Sequence, residues 1–552
     1  MKFDGLITEL GEFGPYQKRL YFIVCLVSIP AAMQALASVF IQATPDHRCA
    51  IPTLPNDTYA SQGPWHDDLI NVSIPWDSDG DIYDKCHLRK YTGDLGNETV
   101  SCDKWVYKRD TFKSTFVSDQ DLVCDEKAFV TYANMIFMAG MLIGSFIMGF
   151  LSDVLGRKKV LVMSTLGQFA AAFGTAWADS YPIYVALRFF TSFCGVSMFL
   201  SAFVIGMELV GPNQRRVAGM IIQLFWCIGL FIETGIAYYL KDWRHFQMSI
   251  SMFSIVTAVI FAVFLPESAR WLMQRGKTEE ASKIILKAAD VNGVTLSEKA
   301  QNLDLEVEGE GEMIWHMFSY PVLLFRFFVL FMNWFVSSMV YYGLSLNAGN
   351  LFGDIYINFF LMAVVEMVSY LFCLAFLDKA GRKFLQCSSM ILGGVACTAT
   401  LFPVMYGGGD YNWLIMVLSL VGKFGASAGF AVIYVYSAEL FPTVMRNSGI
   451  GICSFMARVG GIIAPYIGDL GNIIKGDLGI ALPLVIFGGL SVGAGLLVLF
   501  LPETTNKVLP DTVEDAKNFG RSEKTATNKY AVKTGAEVAP QGRYNPTFSF
   551  EL

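Results

Sequence analysis

Long apolar runs recur along this chain and constrain its fold more than any other feature of the sequence. A helix that spans a bilayer needs about 20 apolar residues, and twelve runs reach that length. They cover residues 20–41, 129–151, 160–178, 183–207, 217–240, 246–265, 325–346, 355–377, 384–405, 413–437, 447–471 and 480–501. Only 16% of the 552 residues are charged, which is too little for a soluble chain of this size. The sequence therefore predicts an all-α membrane protein with twelve transmembrane helices.

A short charged motif lies between the second and third runs and returns between the eighth and ninth. The motif, Asp-x-x-Gly-Arg-Lys, begins at Asp153 and again at Asp378, 225 residues later. Its residues are Gly149, Asp153, Gly156, Arg157 and Lys158 in the first copy, and Asp378, Gly381 and Arg382 in the second. Two copies at equivalent places indicate a duplicated bundle. One six-helix half is expected over 20–265 and the other over 325–501, with 266–324 as the linker between them.

The polar segment between the first two spans, residues 42–128, holds four cysteines and three Asn-x-Ser/Thr sequons. These are Cys49, Cys86, Cys102 and Cys124, together with Asn56, Asn71 and Asn97. An even number of cysteines beside clustered glycosylation sequons predicts an oxidised, disulfide-bonded loop outside the cytoplasm, and three pairings remain open. A zinc site is the alternative, but no Cys-x-x-Cys spacing supports it.

The distribution of basic residues predicts the orientation of the chain. The short loops 347–354 and 406–412 contain no Lys or Arg, whereas the loops on the side of the charged motifs contain Arg215, Arg216, Arg270, Arg275, Lys277, Lys379, Arg382, Lys383 and Arg446. By the positive-inside rule the motifs lie in the cytoplasm. The N-terminus, 1–19, and the tail, 502–552, are then cytoplasmic as well, and the polar tail is expected to be disordered. Residues 278–290 predict a short amphipathic helix within the linker.

Sequence signals for catalysis or for nucleotide binding are weak. The five histidines are scattered, and no nucleophile–base pattern or metal-ligand spacing stands out. Gly422-Lys423 resembles the end of a phosphate-binding loop, but Val417 stands where a glycine is required. We therefore expect a protein that is not an enzyme and that has no cofactor, metal, nucleotide or nucleic acid partner.

Several motifs together resemble one family of transporters. The loop Gly149–Lys158 is similar to the loop signature of the major facilitator superfamily. Further motifs at 11–17, 44–49, 242–244, 265–272, 439–447 and 501–504 resemble its organic cation, anion and carnitine transporters, solute carrier family 22, and residues 345–354 are most similar to the carnitine branch. The resemblance implies two six-helix halves around a central cavity that opens alternately to each side. It also implies a small organic ion as substrate and a location in the plasma membrane.

Charges inside the apolar runs need a reason, because a charge at the bilayer centre costs at least about 2.5–3.5 kcal/mol. Glu366 and Arg458 lie deep in the eighth and eleventh spans, and the resemblance places both on the cavity wall. A guanidinium suits a carboxylate and a carboxylate suits an ammonium, so the two predict a zwitterion such as a carnitine-like or betaine-like amine. The alternative is that they pair with each other. Tyr341, Trp226 and Gln223 match positions that line the cavity in the family. The resemblance therefore implies that the two aromatic residues contact an ammonium and that Gln223 makes a hydrogen bond.

Other charges predict gates on the cytoplasmic side. Glu208 with Arg215 or Arg216 in the first half, and Glu439 with Arg446 in the second, have matching spacing. Such ion pairs can close the cytoplasmic side while the cavity faces outwards, and they must break when it faces inwards.

Three more intramembrane charges complete the set. Arg188 is assigned a structural or gating role. Glu233 is either a site for a coupling ion, Na⁺ or H⁺, or a partner for Lys423. The alternatives to a transporter of organic cations or zwitterions are an organic anion transporter and a non-transporting, receptor-like relative.

Overall fold

The computed structural model describes residues 3–77, 82–90, 98–297, 320–350, 353–407, 411–442, 445–473, 477–505, 507, 510 and 513–520. This part of the chain is mainly helical. Eleven helices in it are long and apolar enough to cross a membrane. The first of these spans, Pro15–Ile41, is assembled from three consecutive helices rather than one. The helices up to this point are α1 (Phe3–Glu9), α2 (Pro15–Cys25), α3 (Ser28–Leu36) and α4 (Ser38–Ile41).

The described residues of the segment after α4 form two short helices and three small antiparallel sheets. The helices are α5 (Pro64–Ser73) and α6 (Phe116–Asp119); the paired strands are β1 (His47–Cys49) with β6 (Trp105–Tyr107), β2 (Trp76–Asp77) with β3 (Ile82–Tyr83), and β4 (His87–Arg89) with β5 (Thr99–Ser101). Isolated two-stranded sheets are marginal by themselves. Disulfides join Cys49 to Cys102 and Cys86 to Cys124, so this segment is cross-linked across its strands.

Five long helices complete the first half. They are α7 (Ala128–Leu155), α8 (Arg157–Thr175), α9 (Tyr181–Leu209), α10 (Arg215–Tyr239) and α11 (Trp243–Phe264). The predicted span 160–178 corresponds to α8, which is not among the eleven candidates and starts with three basic residues that lower its mean hydropathy. Its 19 residues still extend about 28 Å, close to the thickness of the hydrocarbon core.

The linker adds α12 (Ala269–Gln274) and α13 (Thr278–Asn292), and α13 lies where the amphipathic helix was predicted. Ile285 and Ala288 on α13 pack against Leu6 and Ile7 on α1. Of the linker, residues 298–319 lie outside the described part of the chain.

The second half repeats the long helices. They are α14 (Pro321–Leu346), α15 (Ile355–Ala380), α16 (Arg382–Ala399), α17 (Leu401–Tyr406), α18 (Asn412–Leu440), α19 (Arg446–Ile473) and α20 (Asp477–Val498), followed by α21 (Val513–Asn518). Within the halves α8 packs on α9 and α16 packs on α18. Between the halves α10 packs on α15 and α7 packs on α19, so a central space is enclosed by helices from both.

Glycine makes the tight turn within each copy of the charged motif. Gly156 is the single residue between α7 and α8, with φ of 115°, and Gly381 is the single residue between α15 and α16, with φ of 90°. Residues other than glycine rarely adopt these backbone angles, because their Cβ atom would clash. We refer to the end of the bundle that carries these two glycines as the motif face, and to the opposite end, which carries residues 42–77, 82–90 and 98–127, as the loop face.

Candidate functional site

A cavity of about 100 Å³ lies between the two halves. Its wall includes Gln223 and Trp226 on α10 and Tyr341 and Arg458 on α14 and α19. Four of the five residues predicted to bind substrate therefore line one cavity. Glu366, the fifth, is fully buried and lies behind Tyr341.

Glu366 and Lys423 form an ion pair inside the second half. Lys423 Nζ lies 2.9 Å from Glu366 Oε2, and neither side chain is more than 1% exposed. The hydroxyls of Tyr341 and Tyr370 donate to Glu366 Oε1 at 2.7 and 2.9 Å. Lys423 Nζ also donates to Ser345 Oγ at 2.6 Å and lies 3.5 Å from the centroid of the Tyr341 ring. The charge of Glu366 is thus balanced within the protein.

This ion pair differs from the partners that the sequence suggested. In the described part of the chain Glu366 pairs with Lys423 rather than with Arg458, and Lys423 does not pair with Glu233. The reason is tertiary: α15 packs against α18, which brings residues 57 positions apart to the same height. The carboxylate of Glu366 is therefore already contacted by Lys423, Tyr341 and Tyr370.

Arg458 keeps its charge available to the cavity. Its Nη1 donates to the backbone oxygen of Ser454 at 2.7 Å and to the Ser454 hydroxyl. Its Nε is buried with no hydrogen-bond partner among the described residues. In that same part of the chain its hydrogen bonds go to Ser454 alone, and no carboxylate balances it. A guanidinium in this position can bind a carboxylate ligand by donating hydrogen bonds to it.

Aromatic side chains surround the cavity and connect the halves. Trp226 Nε1 donates to the Tyr341 hydroxyl at 3.1 Å, across the boundary between α10 and α14. The Tyr341 ring stacks on Phe430 with centroids 5.6 Å apart, and Tyr342 and Tyr434 also line the cavity. The faces of such rings attract alkylammonium groups.

Arg188 and Glu233 lie together in the first half, away from the gates. Arg188 is seven residues from the start of α9, nearer to the loop face than to the motif face. Its Nη1 donates to the backbone oxygen of Gln34 at 3.3 Å, and its guanidinium lies 4.2 Å from the centroid of the Phe137 ring. Both carboxylate oxygens of Glu233 are buried without a hydrogen-bond partner among the described residues.

At the motif face, Arg157 is the centre of a network in the first half. It pairs with Asp153 and lies 3.4 Å from Glu208. The second oxygen of Glu208 accepts a hydrogen bond from Ser268, in the motif that follows the sixth span. The network therefore ties together the ends of α7, α8 and α9 and the start of the linker.

Arg382 is the centre of the equivalent network in the second half. It lies 3.3 Å from Asp378 and 3.0 Å from Glu439, and the hydroxyl of Thr504 donates to Glu439. Arg446, the predicted partner of Glu439, begins α19, whereas the carboxylate of Glu439 is held by Arg382. The two halves thus repeat one arrangement of an arginine, two acids and a hydroxyl.

Two glutamates cap the helices that follow the motif glycines. Glu267 accepts from the backbone N–H of Lys158 at 2.9 Å, and Glu503 accepts from the first N–H groups of α16 at 3.0 and 3.1 Å. A carboxylate at a helix N-terminus satisfies unpaired donors and suits the helix dipole. Burial raises the pKa of Glu503, but hydrogen bonds from Thr505 and these N–H groups outweigh it and hold that pKa below its usual value.

One ion pair at the motif face joins the halves. Arg216 at the start of α10 pairs with Asp378 at the end of α15. The predicted pairing of Glu208 with Arg215 or Arg216 is not what the structure shows, because Arg215 lies 2.7 Å from Asp4 and Arg216 reaches across to the other half. The sequence could not reveal this contact, since its partners are 162 positions apart.

Aromatic rings join the halves at the loop face. The Phe40 ring stacks on Tyr356 at 5.7 Å and meets Phe359 edge-on at 5.0 Å. Phe40 belongs to α4 and the other two to α15. Contacts between the halves therefore exist at both ends of the cavity.

The loop segment carries its own buried polar cluster. Arg48 binds Asp57 through two nitrogens at 2.6 and 2.9 Å, and His66 lies 3.0 Å from the same carboxylate. Burial raises the pKa of Asp57, but hydrogen bonds from Arg48, the Ile51 N–H and His66 outweigh it and lower that pKa below its usual value. Of the sequons, Asn56 and Asn71 are described, and Asn71 accepts from the Tyr83 hydroxyl; Asn97 lies outside the described residues.

Several residues of these networks were missed from the sequence. Tyr370 and Ser345 look like ordinary residues of apolar spans, and no local signal marks them as partners of Glu366 and Lys423. The capping glutamates did have a signal, because Leu-Pro-Glu follows both the sixth and the twelfth spans.

Comparison with known proteins gives relatives over nearly the whole chain. An organic cation transporter protein of Drosophila melanogaster is 38% identical, over 97% of this chain and 98% of its own length. Organic cation/carnitine transporter 2 of Homo sapiens is 31% identical, over 97% of this chain and 98% of its own length. A beta-alanine transporter of Drosophila melanogaster is 33% identical, over 94% of this chain and 89% of its own length.

The fold comparison agrees with the architecture. The xylose transporter XylE from E. coli, in a partially occluded inward-open conformation, superposes with a TM-score of 0.59 over 90% of this chain and 100% of its own, at 15% identity. At that identity the likeness shows the fold alone, and it confirms the predicted major facilitator fold. The model of the sugar (and other) transporter family matches residues 100–515. The chain therefore belongs to the sugar (and other) transporter family of the major facilitator superfamily, a family of transporters rather than enzymes, with organic cation and carnitine transporters as its relatives.

Proposed function

We propose that this protein carries small zwitterions with an ammonium and a carboxylate group, such as carnitine-like, betaine-like or ω-amino acid compounds, by alternating access. The observation that carries the proposal is the charge balance of the cavity. Arg458 faces the cavity unpaired by any described carboxylate, whereas Glu366 is neutralised by Lys423. The names of the human carnitine and Drosophila beta-alanine relatives support a substrate that has both groups.

The two ends of the substrate use different parts of the wall. Arg458 receives the carboxylate, because a guanidinium offers paired donors to it. The ring of Trp226 receives the ammonium, with about 0.5–2 kcal/mol for a well-placed cation–π contact. The Tyr341 ring already carries the ammonium of Lys423 and stacks on Phe430, so Tyr341 contributes through its hydroxyl. Glu366 acts indirectly, since it fixes the hydroxyl of Tyr341. A purely cationic substrate gains the aromatic contacts but meets the positive charge of Arg458.

Alternating access follows from the contacts between halves. The pair Arg216–Asp378 closes the motif face, and it must break for the cavity to open there. The Phe40–Tyr356 contact closes the loop face and must separate for opening on that side. The paired networks around Arg157 and Arg382 lie within one half each, so they can persist through both movements.

We place the protein in the plasma membrane with the loop face outside and both termini in the cytoplasm. The two disulfides of the loop segment support this, because such bonds persist in oxidising compartments. Treatment of intact cells with a glycosidase should reduce the apparent mass of the wild type, and Asn71→Gln should lower the mass before treatment. Glycan that resists removal until the cells are permeabilised would contradict this orientation.

An uptake panel tests the substrate class. Cells that express the protein receive labelled L-carnitine, glycine betaine, β-alanine, tetraethylammonium or succinate. We expect uptake of the zwitterions and little of the simple cation. Arg458→Asp should lower zwitterion uptake by about 10–100-fold, as expected for a lost charge-assisted hydrogen bond, and should raise tetraethylammonium uptake.

Controls separate the alternatives. Arg458→Lys keeps the charge without the paired donors, so it should retain part of the zwitterion uptake. Because Arg458 is unbalanced, an organic anion transporter is the second candidate, and succinate uptake above that of the zwitterions would favour it. Selectivity that is identical in the wild type and Arg458→Asp would refute the role of Arg458. Flat uptake across the panel would indicate a receptor-like relative.

A further inference from the structure

Glu233 is a buried charge that the substrate cavity leaves unexplained. Its side chain is 0% exposed, and neither carboxylate oxygen has a hydrogen-bond partner among the described residues. Leu230 and Ala237, about one turn away on the same side of α10, belong to an apolar cluster with residues of α3 and α15. An ionised carboxylate in such surroundings is strongly disfavoured unless a nearby cation compensates it.

Arg188 supplies that cation and also touches the cavity wall. It is 1% exposed, and it is the charged group whose field acts on Glu233. Its hydrogen bond nevertheless goes to the backbone of Gln34, its guanidinium lies over Phe137, and its Nη2 has no partner among the described residues. Gln34 and Phe137 both line the central cavity. Arg188 therefore links Glu233 to the place where substrate is expected.

We propose that Glu233 binds and releases a proton in each transport cycle and so couples transport to the proton gradient. The proposal rests on the function as a transporter. Ionised Glu233 draws Arg188 away from Phe137 and Gln34; protonated Glu233 leaves Arg188 against the cavity wall, which is the arrangement in the structure. Because α10 packs against α15 of the other half, the change of charge falls beside a boundary that moves in alternating access.

The apolar surroundings of Glu233 favour a proton over sodium. A sodium ion adds the same charge as a proton but needs several oxygen ligands, and Leu230 and Ala237 beside Glu233 belong to an apolar cluster. A proton instead forms an O–H bond with the carboxylate and removes its negative charge, while Arg188 stays charged. No second ligand is needed for this step.

Other titratable groups near α10 have separate partners. Tyr184, on α9, interacts with Arg188 and accepts a hydrogen bond from Gln42. Glu366 and Tyr370 on α15 face α10 at Cys227, six residues or about 9 Å along the helix from Glu233. The charge of Glu366 is balanced by Lys423, and the hydroxyl of Tyr370 donates to Glu366. Gln34 and Gln247, the polar side chains that α3 and α11 place in the same buried network, do not titrate.

An infrared titration tests proton binding without any substrate. Purified protein in lipid vesicles is taken from alkaline to acid pH, and the C=O band of protonated carboxyl groups is recorded. We expect a component in the wild type that is missing in Glu233→Gln and present in Glu279→Gln, a matched change on the exposed face of α13. A titration that is the same in the wild type and in Glu233→Gln overturns the proposal. If Glu233→Gln does not fold, Glu233→Asp replaces it and should shift this component. A component that does not shift also overturns the proposal.

Uptake into proteoliposomes tests the coupling. With β-alanine or L-carnitine as probe, an outer medium about one pH unit more acid should raise accumulation about tenfold at one proton per substrate. Glu233→Gln should show no such rise but should still exchange labelled for unlabelled probe. Accumulation that follows a sodium gradient, or a rise that persists in Glu233→Gln, overturns the proposal. If neither protein takes up any probe, the proposed function has failed, and the infrared titration alone decides on Glu233.

Discussion

Removal of Lys423 should expose how much of the second half depends on one buried ion pair. Lys423→Met keeps an unbranched side chain and removes the ammonium. It leaves the carboxylate of Glu366 at 0% exposure, with the hydroxyls of Tyr341 and Tyr370 as its remaining partners among the described residues. Loss of one partner from a buried ion pair costs about 3–5 kcal/mol, because the remaining charge is uncompensated. No discount for solvent screening applies, since both side chains are buried.

The double variant Lys423→Met with Glu366→Gln separates charge from packing. The amide oxygen can still accept from Tyr341 and Tyr370, and no buried charge remains. We expect it to lie within about 1–2 kcal/mol of the wild type, a cost that reflects weaker neutral hydrogen bonds. The double variant should therefore be more stable than Lys423→Met alone, with a coupling energy of the kind that a double-mutant cycle isolates.

The assay is the melting temperature of the protein in detergent, followed by tryptophan fluorescence, for the wild type, both single variants and the double variant. Lys287→Met, on the exposed face of α13, is the matched control and should melt like the wild type. If the double variant melts no higher than Lys423→Met, the stranded charge of Glu366 is not the cause of the loss, and the reasoning fails.

Three further predictions concern the gate, the loop and the packing of helices. Arg216→Asp should favour opening at the motif face by about 0–1 kcal/mol, the usual contribution of a partly exposed ion pair. The double variant Arg216→Asp with Asp378→Arg should reverse this effect, and the accessibility of introduced cysteines measures the opening. Unchanged accessibility in both variants would contradict the gate. The pKa of Asp57 is lower in the folded loop than its unfolded value of about 3.9, so its stabilisation is complete above that pH and is lost as the pH falls through the folded pKa. The protection of the loop amides, measured relative to the intrinsic exchange rate at each pH, should therefore fall in acid, and Asp57→Asn should remove this dependence. An added methyl at Gly425 would lie 2.5–2.7 Å from the backbone of α16, so Gly425→Ala should cost about 1–3 kcal/mol, whereas Gly489→Ala meets open space; equal melting temperatures would contradict the packing argument.

The pattern of the sequence was sufficient to predict the architecture. Apolar runs of spanning length, with a repeated charged motif between them, have few solutions other than a duplicated helical bundle. Gly156 and Gly381 were readable as turns for the same reason, because only glycine suits the backbone where two long helices meet at one residue. The four loop cysteines were readable as a disulfide set, but not their pairing.

The partners of the buried charges could not be predicted from the sequence. Glu366, Lys423, Arg458 and Glu233 were each recognisable, since a charge within an apolar run always needs a reason. Which of them meet depends on the rotation and height of each helix, and sequence spacing within one helix carries no information about its neighbour.

From its sequence alone, then, this protein had to be a membrane bundle in two related halves, because local hydrophobicity and glycine geometry act within single segments. Only the packing of α15 on α18 decided that Lys423 neutralises Glu366. Only the packing of α9 and α10 left Glu233 beside Arg188 without a hydrogen bond to any described residue. Electrostatic energy depends on distances between segments that are far apart in the chain, so these features belong to the tertiary structure.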